Sequence, residues 1–520
     1  MLKDRSALMG VLLPFLLPFV SPNELSGIQE QTPPLTGYPP CDALISAGLA
    51  DNLLLASSEN YEPRVHSWFA ANAQYRPWCF FQPQSAQGLS LAIKALNRVS
   101  FAGDWHIAVR SGGHGPPGSS NIANGVTIDL GLMDGSTYNP NRSFASVEPG
   151  GKWKDVYYNL LQHHNVTVTG GRDGGVGVGG FLLGGGNSYY TGRNGFGCDQ
   201  VVGYQVVLAN GTIVEANAEE NADLWKALKG GGFNFGIVTR FDIRTMPTVE
   251  LAYAQQIVSL NRSDRVAEAV VRFTENSKNR TADSLIPLYS YDATDMEGGL
   301  VILIQTNSLG DLNTTSFNGV NAIPSLVPSD LKLMSLADAA NASQVEPGGL
   351  VASSTLTFVN DLELIRQSHA IQIKHIMSLS QKMDPSSFKF QVFYQPIPTN
   401  FAEHGLRNGG NMMGLDRVTS DAIMWTAGMS VSPGPEGEAA LAIAHAQLAA
   451  LTAELKELTI EHGKDVELIY MNYADLSQNP LGSYGADNVA FIKKVANQYD
   501  PKGFWQQRAP GGFKISRVVD

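Results

Sequence analysis

The sequence predicts an α+β fold in which a glycine-rich first domain is interrupted by an inserted second domain and then resumed. Three observations predict it. From about Glu59 to Pro247, short β-rich runs alternate with glycine-rich turns. From Val249 to about Gly463 the glycines thin out and longer strands and helices take over. Near Asp465 a β-then-helix texture returns. A chain of 520 residues is long enough for two or three domains and a large core. The expected divisions are a leader over residues 1–20, a Pro/Gly-rich polar lead-in over 21–58, the first part over 59–248, the insertion over 249–464 and the returning segment over 465–520.

The first part reads as strands at His106–Arg110, Gly125–Leu130, Val166–Gly171, Tyr204–Ala216 and Gly236–Ile243. Within the fourth, Asn210-Gly211 between two apolar runs predicts a tight hairpin. Asn221–Lys229 reads as a helix with Leu224, Trp225 and Leu228 on one face and Gly230 as its stop. In the insertion, "FKFQVFYQPIP" (Phe388–Pro398) alternates as a strand does, putting Gln391, Phe393 and Gln395 on one face and Val392 and Tyr394 on the other. Glu438–His462 carries Leu441, Leu448, Leu451, Leu455 and Leu458 at helical spacing, which is core packing rather than a cofactor box. The return is "VELIYMNYADL" in β texture, a helix over Asp487–Tyr499 and Pro501 as its stop.

Net charge is −12 and no basic run occurs, so neither nucleic acid nor an anionic membrane surface is an expected partner. Residues 1–20 combine Lys3 and Arg5 with an apolar run from Ala7 to Val20 that is too short and proline-broken to span a membrane. This is a signal-peptide pattern and predicts secretion or the lumen of the secretory pathway. Seven Asn-x-Ser/Thr triplets agree with it, at Asn141, Asn165, Asn210, Asn261, Asn279, Asn313 and Asn341. An oxidising compartment favours one disulfide among Cys41, Cys79 and Cys198, with Cys41 to Cys79 the pairing that would staple the N-terminal segment. The alternative is three buried, unpaired thiols. No CxxC, HExxH or paired-histidine spacing occurs, so no metal is expected; His163 and His164 read as a solvated pair.

Between Gly170 and Gly186, in "GGRDGGVGVGGFLLGGG", ten of seventeen residues are glycine. Such density weakens helices and strands, so the chain needs backbone freedom or close approach there. Successive glycines let N–H groups converge on an anion and let a flat ligand lie against the main chain. "RSGGHGPPGSSN" is a second such loop, where Gly112, Gly113 and the hydroxyls of Ser111, Ser119 and Ser120 can surround a pyrophosphate. Two phosphate-type loops predict a dinucleotide. A Rossmann unit fits badly, because "GVGVGG" leads into another triple glycine and an antiparallel hairpin instead of a parallel βαβ crossover.

In chain order, "VRSGGHG", "GVTIDL", "VEPGG", "VGVGGFLLGGG", "GGGFNFGIVTRFDI" and "IYMNYADL…DPKGFW" resemble the FAD-linked oxidoreductases of the berberine bridge enzyme-like group, within the vanillyl-alcohol oxidase superfamily. The likeness runs from about Asn60 to Trp505 and is nearest to fungal members of natural-product pathways. It implies a PCMH-type FAD-binding domain in two parts, 59–248 and 465–520, around an antiparallel-sheet substrate domain flanked by helices. By the same resemblance His114 is the covalent tether to the flavin. The cofactor site extends over Arg110, Ser111, Gly112, Gly113, Gly115 and Ser119, over Val176, Gly177, Gly179, Gly180, Gly184, Gly185, Gly186 and Asn187, and over Gly236, Ile237, Val238 and Asn472. A second, cysteinyl tether of some members falls on Asp173 here, so a monocovalent flavin is expected, and Cys198 lies too far downstream to replace it. The histidine that follows "VGVGG" in many plant members is Phe181.

The resemblance also implies that Tyr473 is the catalytic base or proton relay; a cofactor-packing phenol is its bland reading. Tyr470, on the opposite face of a strand, is the weaker candidate. Gln391, Phe393 and Gln395 are the expected substrate wall, with Asn411 and Arg417 as further polar possibilities. A small residue at Val176 goes with oxygen access in relatives, so O2 is the expected acceptor. The implied activity is FAD-dependent oxidation of a small secondary-metabolite alcohol, amine or phenolic, with oxidative cyclisation in reach. The alternatives are a structural FAD in a non-redox cyclase or binding cavity, and a carbohydrate oxidase.

Overall fold

The computed structural model describes residues 34–295 and 298–518. The expected leader lies outside the described residues. The described residues are α+β and build three sheets. The first has four strands, β1 (Leu53–Leu55), β2 (Cys79–Phe81), β3 (His106–Arg110) and β4 (Gly125–Asp129), in the order β1-β2-β4-β3. β4 runs parallel to both β2 and β3, as strands joined by helical or long crossovers do. All five β4 residues are buried, which suits a strand covered on both faces. The helix Ala86–Arg98 packs on this sheet, and Ser85 caps it by accepting from the Gly88 N–H.

The second sheet holds β5 (Ser136–Asn139), β6 (Phe144–Val147), β7 (Val166–Val168), β8 (Val201–Val207), β9 (Ile213–Asn217) and β10 (Ile237–Pro247), in the order β5-β6-β10-β8-β9, with β7 on the end of β10. The Asn210-Gly211 turn does connect β8 to β9, but as a five-residue loop closed at Val207–Ile213. Of the two turn residues only Gly211 has positive φ, so the type I′ geometry of a two-residue turn is not formed.

The third sheet is antiparallel throughout and has eight strands: β11 (Leu251–Ser259), β12 (Asp283–Tyr291), β13 (Leu300–Asn307), β14 (Lys332–Met334), β15 (Leu350–Val359), β16 (Phe388–Ile397), β17 (Ala422–Val431) and β18 (Asp465–Val466). Their order is β14-β11-β13-β12-β16-β17-β15-β18. One face packs on the helices Ser263–Asn276, Leu362–Ser380 and Gly437–Glu461, through residues such as Phe390, Val392, Tyr394, Leu448 and Leu455. The other contributes Ile286, Ile397 and Met424 to the core shared with the second sheet, and that shared core positions the site.

Of "VELIYMNYADL" only Val466 is strand, joining the eight-stranded sheet with Asp465 before it; residues 471–473 form a turn. Tyr470 and Tyr473 are therefore not on opposite faces. The Tyr473 N–H donates to the Tyr470 carbonyl at 3.0 Å, and the two rings meet edge to face with centroids 4.9 Å apart. Cys41, in the helix Pro39–Ser46, is disulfide-bonded to Cys79 in β2, and Cys198 is a buried free thiol. His163 and His164 are exposed at the end of the helix Trp153–His164. Among the described residues no helix is long and apolar enough to cross a membrane, and no cluster of metal-ligating side chains forms.

Candidate active site

The two glycine loops meet backbone to backbone. A Cβ on Gly112 would lie 2.4 Å from the Gly177 nitrogen, and one on Gly177 would lie 2.2 Å from the Gly112 nitrogen. Only glycine permits that approach. Ser111 locks it, its hydroxyl donating to the Pro149 carbonyl at 2.5 Å and accepting from the Gly179 N–H at 3.0 Å. Ser119 donates to the Pro116 carbonyl, and Ser120 accepts from the Trp68 indole. The expectation that all three serine hydroxyls surround a pyrophosphate is corrected for Ser111 and Ser119, whose protons brace the loops. The Ser120 hydroxyl keeps its proton, and among the described residues the N–H groups of Gly112, Gly113, His114 and Gly115 have no protein acceptor.

Arg110, at the end of β3, is buried with its guanidinium 3.7 Å from the Trp68 ring centroid, and it donates to Ser67 at 2.8 Å twice. Burial brings its pKa down to about 10, which Asp129 opposes and Arg64 reinforces. Its Nε is buried without a partner beside Gly113. Free amides and an orphaned cationic donor fit a pyrophosphate, and Gly170 and Gly171, whose Cβ atoms would enter the Trp153 ring, leave room only for backbone. The residues present therefore fit FAD.

His114 stacks on Phe69 with ring centroids 4.4 Å apart. Burial holds its imidazole below the usual histidine range; Asp173 opposes this, while Lys152 and Arg110 push the same way. A neutral imidazole results, the form that acts as a nucleophile. Asp173 itself is occupied, accepting from the Gly175 N–H at 2.7 Å and the Val345 N–H at 3.1 Å.

At the far end of the glycine stretch, the Tyr470 hydroxyl accepts from the N–H groups of Gly186 at 2.8 Å and Asn187 at 2.7 Å. Burial, with Tyr473 adding to it, pushes its pKa well above the usual tyrosine value, so Tyr470 is a clamp on the loop. Asn472 donates to the Phe181 carbonyl at 3.0 Å and fills the space over Gly184, where a Cβ would lie 1.9 Å from its Oδ1. Gly185 and Gly186 both take positive φ, and Phe181 stands edge-on to Trp153. Val176 is half-buried against the shared core, and Gly180 is exposed. Gly236, Ile237 and Val238 are buried at the start of β10, where a Cβ on Gly236 would lie 2.7 Å from the Val207 carbonyl oxygen.

One contact joins these parts. Arg172, from the glycine stretch, donates through Nη2 to the Tyr473 phenol oxygen at 2.9 Å and to Gln395 Oε1 at 2.6 Å. Asn187 donates to the same Gln395 oxygen at 3.3 Å. Gln395 is buried, whereas Gln391 and Phe393 on the same face of β16 are half-buried, with Phe393 against the shared core. Val392 and Tyr394 pack on the helices behind. Asn411 and Arg417 lie elsewhere, bound to Asp199 and to Glu467 with the Ser483 carbonyl. Sequence reasoning missed Arg172. The one signal was a lone cation, beside Asp173, in a run otherwise built of glycine and apolar residues.

Fold and site together define a flavin-binding oxidoreductase. An FAD binding domain family matches residues 77–217. The FAD-dependent monooxygenase drtC of Aspergillus calidoustus is 31% identical over 486 residues, covering 92% of this chain and 90% of that one. A single-residue variant of berberine bridge enzyme, described as a reticuline dehydrogenase, superposes with a TM-score of 0.72 at 16% identity, over 89% of this chain and 97% of that one. Glucooligosaccharide oxidase from Acremonium strictum, described with a 6-S-cysteinyl, 8α-N1-histidyl FAD, superposes with a TM-score of 0.68 at 20% identity, over 92% and 98%. The chain belongs to the family of these fungal FAD-dependent monooxygenases, and its fold is that of berberine bridge enzyme and the oligosaccharide oxidases.

Proposed function

We propose that the protein is a secretory-pathway flavoprotein oxidase acting on a small secondary-metabolite alcohol, amine or phenol, with His114 as a single covalent tether to FAD and Tyr473 as proton acceptor or relay. The observation that carries it is the Arg172–Tyr473–Gln395 contact, which sets a phenol between the glycine stretch and the inserted sheet. FAD, when bound, supplies the two-electron acceptor, and O2 in turn accepts those electrons to give hydrogen peroxide.

Gly112, Gly113 and Gly115, with the Arg110 Nε, would hold the pyrophosphate. Gly184, Gly185 and Gly186, clamped by Tyr470 and Asn472, would lie along the ring system. Tyr473 takes the proton that the substrate's O–H or N–H releases as its C–H bond breaks. The Arg172 guanidinium donates to the same phenol oxygen and stabilises negative charge there. Gln395 holds that guanidinium in place, and β16 brings Gln391 and Phe393 to the same wall. Val176 is the small residue that leaves a path for oxygen. The seven sequon asparagines, all exposed, support glycosylation in the secretory pathway.

The monooxygenase name of the A. calidoustus relative favours a second reading, in which one oxygen atom enters the product. Turnover under labelled dioxygen tests both, with peroxide assayed alongside. Peroxide equal to the oxygen consumed and no label in the product supports the oxidase. Label in the product without peroxide supports the monooxygenase. Substrate conversion with no oxygen uptake and no flavin bleaching would sink both and leave the structural-flavin cyclase.

A further inference from the structure

We propose that Arg172 makes the cleft beside Tyr473 an oxyanion-recognising site, so that the molecule oxidised carries a carboxylate, or a phenol or enol ionised near neutral pH, next to the reacting position. This rests on the reading of Tyr473 as the proton-handling group and adds the substrate class.

The cleft that Arg172 enters is lined also by Asn187, Ser188, Leu285, Gln395 and Phe401, and Tyr473 is joined to it through Arg172. The side-chain amide oxygens that line it are already engaged. Gln395 Oε1 receives Arg172 and Asn187, and Asn187 Oδ1 receives the Thr191 hydroxyl at 3.1 Å. Guanidinium has no acceptor, so the Gln395 amide must turn its oxygen to Arg172 and its NH2 away. The donors are not engaged. Both Arg172 bonds leave from Nη2, and among the described residues Nε and Nη1 have no protein acceptor.

The charge balance points the same way. Arg172 belongs to none of the ion pairs among the described residues. The adjacent Asp173 carboxylate is turned onto the Gly175 and Val345 amides. Asp283, the carboxylate in the cleft wall, is buried and saturated by Asn307 at 2.7 Å, Thr314 at 3.0 Å and Ser316 at 2.5 Å. A half-buried guanidinium with donors free and no carboxylate in direct contact is matched by a planar oxyanion, which takes two parallel N–H bonds. A neutral alcohol leaves the charge uncompensated.

Calorimetric titration of the holoenzyme with benzoate and with its neutral isostere benzamide tests this without turnover. Benzoate should bind roughly ten- to hundredfold more tightly than benzamide. Arg172→Gln should remove that preference by lowering benzoate affinity far more than benzamide affinity, and Arg172→Lys should restore part of it. Equal affinity of the two probes for wild type, or no measurable benzoate binding, overturns the proposal even if the variants fail to fold. A benzoate preference that survives Arg172→Gln also overturns it, since the anion then sits elsewhere, as on the Gly112–Gly115 amides. Failure of the underlying reading looks different: the benzoate preference stays with Arg172 while Tyr473→Phe reduces its flavin as fast as wild type.

Discussion

The Arg172 guanidinium meets the Tyr473 phenol oxygen at 2.9 Å across 301 residues of sequence. If that phenol handles the substrate proton, Tyr473→Phe lowers the rate of substrate-driven flavin bleaching by about 10²- to 10⁴-fold. Flavin content should be unchanged, because Tyr470 and not Tyr473 clamps the glycine stretch. Stopped-flow bleaching under anaerobic conditions measures it, and an unaltered rate reduces Tyr473 to a packing phenol.

His114 is held neutral by burial and is stacked on Phe69. Acid-precipitated wild type is expected to keep its yellow colour with the polypeptide, and His114→Ala to release it to the supernatant. Colour lost from wild type on precipitation refutes the tether.

The Gly112–Gly177 approach has no room for a methyl group on either side. Gly112→Ala and Gly177→Ala should therefore part the loops and purify without flavin, while Gly180→Ala, at a position with nothing within 4 Å of a Cβ, should retain it. The ratio of flavin to protein absorbance reads the outcome.

The Cys41–Cys79 bond closes a span of 38 residues between the first described helix and β2. In the chain-entropy picture, removing it with Cys41→Ser and Cys79→Ser together costs about 4 kcal/mol. A fall in Tm of the double variant, and one titratable thiol in denatured, unreduced wild type, are the expected results; three thiols would contradict the pairing.

Lys514 is buried, donates to the Phe233 carbonyl at 2.7 Å, and has its pKa brought down to about 7 by burial and Arg517 against the pull of Asp500. Its folded value lies below its unfolded one, so between about pH 7 and pH 10 the unfolded chain binds more protons and stability rises with pH. Lys514→Met flattens that rise. Its stability relative to wild type should be greatest below pH 7 and shrink towards pH 10, at about 1.4 kcal/mol per pH unit at most. Parallel Tm profiles for the two proteins would show that Lys514 titrates normally.

Several features were legible because they are local. The glycine density of 170–186 required a close backbone approach, and period-two alternation in "FKFQVFYQPIP" separated Gln395 from Tyr394 before any packing was known. Where local pattern misled, a neighbour had overridden it. "VELIYMNYADL" has β texture, yet after Val466 its residues turn so that Tyr470 can reach the Gly186 and Asn187 amides. The serines of "RSGGHGPPGSSN" have phosphate-binding chemistry, but the Pro149 and Pro116 carbonyls take the hydroxyl protons of Ser111 and Ser119.

The sequence by itself determined the α+β class, the glycine cradles, the loop that carries His114 and the strand face that carries Gln395, because each depends on backbone freedom or side-chain period within a short stretch. Only the tertiary structure decided that Arg172 serves Tyr473. That contact joins the glycine stretch, the inserted sheet and the returning segment, and a hydrogen bond across 301 residues leaves no spacing in the chain to read. Its existence depends on which faces the shared core brings together, which is a property of packing and not of local pattern.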